Sequence, residues 1–277
     1  MLNATTKICA IIGDPVAHSM SPAMHNAGYE VLGLNFAYTA FRVNGEQLHR
    51  AVEGIRALGI RGVSVTVPHK IAVMEYLDEI DATALKIGAV NTIVNTDGKL
   101  KGYNTDWEGA MRSVEEGTSI EGKTVVMLGA GGAARGIGFG LLQRKAKKLV
   151  ILNRTAEKAR ELASEMGVEY GNLDELKERL AEADILFQTT SIGMHPHESE
   201  TLVPKELLRP DLFVTDAVYN PFETRLIREA REARCAVALG YRMLLWQGVT
   251  QFELYTGVKE APVEVMEKAL IEHLSKK

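Results

Sequence analysis

The sequence predicts an α/β protein with largely parallel sheets, divided into two domains. Three observations carry this. Strand-like and helix-like segments alternate almost throughout the chain. Its 277 residues are enough for two domains of ordinary size. A glycine-rich strand-to-helix turn opens only near residue 124, after four or five strand-like runs have passed.

The elements follow in order. Residues 7–12 are an apolar strand, 13–22 a loop, and a helix begins near Pro22. A second strand at 35–43 leads into Asn44-Gly45-Glu46-Gln47, which resembles a capping box; Leu48, Val52, Ile55 and Leu58 recur behind it at helical spacing. A third strand at 62–67 is stopped by Pro68, and a helix carrying Ile71, Met74 and Leu77 is expected next. Residues 90–95 and 100–104 read as a hairpin around Thr96-Asp97-Gly98, because Asp-Gly supplies positive φ. Further strands fall at 125–128, 149–152, 184–190, 212–217 and 235–239. After Gly240 come two helices, 242–256 and 262–274, suited to packing back on the first domain. The expected domains are 1–106 plus 241–277, and 107–240.

Composition narrows the function classes. A hydrophobic content of 46% and a charged content of 25% are those of a soluble globular protein. The net charge of −4, with no dense basic run, argues against nucleic-acid binding. No apolar stretch approaches the ~20 residues that span a bilayer, and residues 1–7 lack a secretory pattern, so a cytoplasmic location is expected. Cys9 and Cys235 give neither a disulfide framework nor a metal spacing, and each reads as a buried small hydrophobe. His195-Pro196-His197-Glu198 looks like a metal cluster, but its spacing within a loop does not make a defined ligand set, and no metal is expected. No segment reads as an interface, which leaves a monomer or homodimer.

The most informative run is 125–134. Four apolar residues lead into Gly129-Ala130-Gly131-Gly132-Ala133-Ala134, and a helix-compatible segment follows over 133–144. This is a dinucleotide-binding turn in a Rossmann-like context. The first glycine permits a tight turn, the second lets backbone approach a pyrophosphate, and the helix N-terminus offers N–H groups to the phosphates. About 20 residues on, where an acidic residue would grip an NAD ribose, the strand ends in Asn153-Arg154-Thr155. Arginine with amide and hydroxyl neighbours suits a 2′-phosphate, which favours NADP.

Four polar clusters lie at predicted strand ends, where open α/β sheets bind ligands. His18-Ser19-Met20-Ser21-Pro22 reads as a helix start with Ser21 as N-cap, and its hydroxyls also suit a carboxylate. In Ser64-Val65-Thr66-Val67-Pro68-His69-Lys70, Ser64 and Thr66 share a strand face and Lys70 opens the next helix. The others are Gly88-Ala89-Val90-Asn91-Thr92 and Tyr103-Asn104-Thr105-Asp106-Trp107, where Thr105 or Asp106 also suits a helix cap. Together, Lys70 and Asp106 make an acid–base pair for proton transfer at a hydroxyl-bearing or carbonyl carbon.

In this order, the clusters and the Gly-Ala-Gly-Gly-Ala-Ala-Arg turn resemble the shikimate/quinate dehydrogenase family. Asn153-Arg154-Thr155, Asp216-Ala217-Val218-Tyr219-Asn220-Pro221 and the run 240–248 extend the resemblance over nearly the whole chain. It implies reversible reduction of 3-dehydroshikimate to shikimate with NADPH, in aromatic amino-acid biosynthesis. It further implies that Ser19, Ser21, Thr66, Asn91, Asp106, Tyr219 and Gln247 bind substrate, and that Lys70 with Asp106 is catalytic. Gly129 to Ala133, Asn153, Arg154, Thr155, Lys158, Ala217 and Gly240 match cofactor positions. Two positions depart from the pattern. Met20 stands where Leu is more common, and Ser64 where Asn is usual; the shorter Ser64 is expected to support the Thr66–Lys70 segment less firmly. Two alternatives stay open: a quinate or NAD-using member of the family, and a non-catalytic NADP-binding regulator, which would need neither Lys70 nor Asp106.

Overall fold

The structure is a computed structural model that describes residues 2–274. The chain divides into two compact units, Met1–Thr105 with Gln247–Lys277, and Asp106–Trp246.

The first unit is built on strands β1 (Lys7–Gly13), β2 (Phe36–Arg42), β3 (Gly62–Val65), β4 (Glu79–Ile80), β5 (Thr92–Thr96) and β6 (Lys99–Tyr103). Their order is β2-β1-β3-β5-β6-β4. The sheet is mixed rather than parallel throughout: β5 runs antiparallel to both β3 and β6. The reason is the hairpin. Asp97 and Gly98 both take positive φ, 52° and 87°, which reverses the chain in two residues. On one side of the sheet, Ile12, Val63 and Val65 pack with Val52 and Ile55 of α2 (Leu48–Ala57). The Asn44 side chain accepts from Gln47 N–H at 3.0 Å and caps a short 3₁₀ turn, Gly45–Gln47, that leads into this helix.

On the unit's other helical layer, α1 (Ser21–Val31) meets α9 (Gly240–Thr256) and α10 (Val263–Leu274). Gly28 makes this approach possible: a Cβ there would lie 2.7 Å from the Phe252 ring and 3.2 Å from Met266. The C-terminal helices therefore pack back on the N-terminal sheet.

Three local expectations are corrected. Helix α1 starts at Ser21 itself, so Met20 is its N-cap and Ser21 caps nothing with its side chain. Met20 is anchored in the core, which fixes the backbone one residue early. The helix expected after Pro68 is a five-residue 3₁₀ turn, Ala72–Tyr76, and Lys70 lies in the turn before it. The Lys70 carbonyl accepts from Val90 N–H at 2.8 Å, a partner from another segment that a continuing helix would not allow. Two short elements add to the expected set: β4, and α3 (Ala82–Ile87), capped by Asp81 and ended by Gly88 at φ 71°.

The second unit contains β7 (Thr124–Leu128), β8 (Lys148–Leu152), β9 (Glu169–Gly171), β10 (Ile185–Gln188), β11 (Phe213–Asp216) and β12 (Ala236–Ala238). All pair in parallel, in the order β12-β11-β10-β7-β8-β9. Numbered from β7, this is the doubly wound order 3-2-1-4-5-6. Its strands read as unbroken apolar runs because both faces are covered. Val125 and Met127 join Ile137 and Leu141 of α5 (Gly132–Gln143) on one side, whereas Val126 and Leu128 join Leu226 and Ile227 of α8 (Arg225–Glu232) on the other. The remaining helices are α4 (Asp106–Glu115), α6 (Ala156–Met166) and α7 (Leu176–Ala181). Strand β9 is a further addition, because three residues at a sheet edge carry too little pattern to be read in advance. Among the described residues, no helix is long and apolar enough to cross a membrane.

Candidate active site

In the first unit the polar clusters gather where β1 and β3 end. Thr66 N–H donates to the Ile12 carbonyl at 3.0 Å, and Asp14 N–H to the Val67 carbonyl at 3.0 Å, so the two strand ends are bound together. Gly13 is required here, since a Cβ would stand 2.3 Å from the Thr66 methyl. Thr66, half-buried, is thus seated against the end of β1. Asn91 joins from the far side, its carbonyl accepting from Val65 N–H at 2.7 Å. Because Val90 N–H holds the Lys70 carbonyl, Lys70 is tied one residue from Asn91. Ser19 and Ser21 follow β1, and Ser19 Oγ accepts from Ser21 N–H at 3.3 Å. Gln247 lies on α9 one turn before Gln251, whose side chain bonds the Asn91 carbonyl and the Thr92 hydroxyl. His69 is structural: it is buried, with Nε2 2.6 Å from the Val43 carbonyl oxygen.

Ser64 is well supplied with partners, all of them on β2 and α9 rather than in the Thr66–Lys70 segment. Its hydroxyl donates to Gln251 Oε1 at 2.7 Å, accepts from Tyr38 OH at 2.6 Å, and lies 3.0 Å from Tyr255 OH. Tyrosine and glutamine side chains reach in to meet the shorter residue. Tyr38, Gln251 and Tyr255 are the members of this cluster outside the motifs read from the sequence; Thr92 stands within one of them, next to Asn91. The available signal was Gln251, four residues after Gln247 on one helix face.

In the second unit, Asp106 opens α4 and is buried. The glycine turn connects β7 to α5. Gly129 sits at φ 112°, where a Cβ would also come within 2.5 Å of Thr189 Oγ1. Gly131 caps α5 without a side chain, has open space at its Cβ position, and is followed by a first turn with no acidic residue. A helix N-terminus with bare backbone and clear approach fits a pyrophosphate. After β8, Asn153 Nδ2 donates to the Thr155 carbonyl at 2.9 Å and shapes the turn that carries exposed Arg154. Thr155, at the N-cap of α6, and Lys158 in its first turn are also exposed. A cation, a hydroxyl and a helix N-terminus fit a 2′-phosphate. The donor set therefore suits NADP.

The two glycines separate stability from binding. Gly129→Ala is expected to cost about 1–3 kcal/mol through backbone strain, seen as a lower denaturation midpoint. Gly131→Ala is expected to leave stability within about 1 kcal/mol but to raise KM for NADPH, because the added methyl fills the approach to the turn.

Ala217 and Tyr219 lie in the loop after β11. This loop is held by Asp216, whose carboxylate accepts from Val218 N–H at 2.9 Å, Thr224 OH at 2.8 Å and Gln188 Nε2 at 3.2 Å. Gly240 allows the loop to pass: a Cβ there would be 2.2 Å from the Val218 carbonyl oxygen. Burial pushes the Asp216 carboxyl up to about 7, against the pull of the Val218 and Thr224 donors. The folded state thus holds a proton that the unfolded chain releases near 3.8, and this contribution to stability is lost as pH rises from about 4 through 7. Asp216→Asn is expected to flatten the dependence of stability on pH in that window; urea midpoints measured across it would show the change, and an unchanged slope would count against the assignment.

His195 Nδ1 lies 2.7 Å from Glu198 Oε1. Among the described residues, no group of three His, Cys, Asp or Glu side chains is placed to hold a metal ion.

The doubly wound unit with its bare glycine turn, together with the polar cluster of the first sheet, defines a two-domain oxidoreductase that uses a nicotinamide dinucleotide. Three family models match the chain: the shikimate dehydrogenase substrate binding domain over residues 11–93, shikimate/quinate 5-dehydrogenase over 110–210, and the shikimate 5′-dehydrogenase C-terminal domain over 240–271. A curated shikimate dehydrogenase (NADP(+)) of Methanothermobacter thermautotrophicus is 49% identical, the match covering 98% of each chain. The solved shikimate 5-dehydrogenase of Thermus thermophilus, in complex with NADP(H) and shikimate, superposes with a TM-score of 0.89 at 36% identity, over 97% of this chain and 100% of that one. A quinate dehydrogenase of Corynebacterium glutamicum in complex with NAD gives a TM-score of 0.90 at 31% identity, over 96% and 99%. The chain belongs to the shikimate dehydrogenase family.

Proposed function

We propose that this chain catalyses the reversible, NADPH-dependent reduction of 3-dehydroshikimate to shikimate, in the cytoplasm, as a step of aromatic amino-acid biosynthesis. The observation that carries the reading is the placement of Lys70, tied through its carbonyl beside Asn91 at the common end of β1 and β3. Ser19 and Ser21 bind the substrate carboxylate, and Thr66, Asn91, Asp106, Tyr219 and Gln247 its remaining polar groups. The first compact unit, close to the expected 1–106 with 241–277 but without Asp106 and 241–246, is the substrate domain. Residues 107–240 hold the cofactor, with Gly129, Ala130, Gly131, Gly132 and Ala133 at the pyrophosphate, Asn153, Arg154, Thr155 and Lys158 at the 2′-phosphate, and Ala217 and Gly240 at the remaining contacts.

NADPH, when bound, supplies the hydride, and NADP+ accepts it in the reverse direction. The protein's own chemistry is the matching proton. Lys70, with Asp106 as its acid–base partner, gives a proton to the oxygen that develops negative charge on C3, and takes it back in oxidation.

The experiment is an assay of purified protein with shikimate and quinate, each with NADP+ and NAD+. Shikimate with NADP+ is expected to give the highest kcat/KM of the four. A higher value for quinate with NAD+ would transfer the assignment to the quinate branch of the family. Turnover in none of the four would favour a non-catalytic NADP-binding protein.

A further inference from the structure

The buried polar groups between β3, β5 and α9 form one directed chain of hydrogen bonds, and its direction follows from a single fixed donor. The backbone N–H of Thr105 donates to Asn91 Oδ1 at 2.8 Å. A backbone N–H can only donate, so the atom of the Asn91 carboxamide that faces it is the oxygen. Asn91 Nδ2 accordingly donates to Thr105 Oγ1 at 3.0 Å. The Thr92 hydroxyl lies 2.7 Å from Asn91 Oδ1 and must donate to it. Its lone pair then accepts from Gln251 Nε2 at 2.9 Å. Gln251 Oε1 in turn accepts from the Ser64 hydroxyl, which accepts from Tyr38 OH. Gln251 Nε2 also reaches the Asn91 carbonyl at 3.2 Å. One side chain therefore grips the Asn91 backbone and, through Thr92, its carboxamide. Ser64, Asn91, Thr92 and Gln251 are all buried, so the bonds are shielded from competing water.

We propose that Gln251 is a positioning residue for the substrate: acting through Thr92, it holds the second bond to Asn91 Oδ1, which together with the Thr105 bonds steadies the hydrogen-bonding edge that Asn91 turns to the substrate. This inference rests on the reading of Asn91 as a substrate ligand. A hydroxyl is a rotor: Thr92 donates to Asn91 Oδ1 because that oxygen can only accept, and Gln251 Nε2, donating to the Thr92 oxygen, holds the hydroxyl in that orientation. Gln251→Leu removes that donor. Thr92→Val removes the rotor and keeps the side-chain shape.

The test is steady-state kinetics with shikimate and NADP+ on Gln251→Leu, Thr92→Val, Thr92→Ser, Asn91→Ala and the double variant Asn91→Ala/Gln251→Leu, with thermal unfolding as the check on folding. Gln251→Leu and Thr92→Val are each expected to raise KM for shikimate about 10-fold, the factor for one buried hydrogen bond, with KM for NADP+ within about twofold. Thr92→Ser, which keeps the hydroxyl, is expected to reverse most of the Thr92→Val effect. Gln251→Leu is expected to add little in the Asn91→Ala background, since both act on one contact. If Gln251→Leu does not fold, Thr92→Val carries the same comparison. Unchanged shikimate KM in Gln251→Leu or Thr92→Val, beside a raised KM in Asn91→Ala, would overturn the inference and leave the substrate site standing. A full additional loss in the double variant would also overturn it. Unchanged KM in Asn91→Ala would instead remove the ligand reading, and the inference with it.

Discussion

Lys70→Ala is expected to lower kcat for shikimate oxidation by about 10²–10⁴-fold, the range for losing a positioned general acid–base group. Its fold should survive. Lys70 lies in a turn held by the backbone bond from Val90, and this bond does not involve the side chain. The expected signature is therefore a fall in kcat with KM for NADP+ unchanged and a thermal midpoint close to the parent's. Lys70→Arg is expected to recover little, because guanidinium stays protonated across the working pH range and cannot take up a proton during oxidation. Near-normal turnover in Lys70→Ala would remove Lys70 from the proton transfer.

Arg154→Ala is expected to raise KM for NADPH about 10–100-fold, which corresponds to one charge-assisted hydrogen-bond site of about 1.5–3 kcal/mol. KM for NADH should barely move, because NADH has no 2′-phosphate. The selectivity is the informative quantity. Arg154 is exposed on the turn after β8, with Thr155 at the N-cap of α6 beside it. Removing its charge leaves the sheet and the glycine turn intact, so the pyrophosphate end of either cofactor is untouched. An equal rise for both cofactors would place Arg154 elsewhere in the binding event.

What can be read directly from the sequence is chemistry that a short segment carries by itself. Asp97-Gly98 specifies its own reversal through two positive φ angles, and the structure has it there. The glycine turn announces a strand-to-helix junction for the same reason: the positive φ at Gly129 is a local requirement, to which the close approach of Thr189 adds. Apolar runs such as 125–128 and 149–152 signal strands covered on both faces. The misreadings arise where a distant partner decides. Periodicity after Pro68 suggests a helix, but the Lys70 carbonyl is taken by Val90. Ser21 looks like a cap, but the burial of Met20 shifts the helix start. Ser64 looks poor in hydrogen bonds because its partner Gln251 is 187 residues away in sequence. A hydroxyl's value depends on what the fold brings to it, and no local pattern encodes that.

This chain is expected to move a hydride at C3 of shikimate while its own residues handle the proton. Oxidation of shikimate carrying deuterium at C3, followed by mass spectrometry of the nicotinamide product, tests it most directly. The label is expected in NADPH, with a normal primary isotope effect on the hydride step. Deuterium washed into solvent, or retained in the oxidised ring, would contradict it.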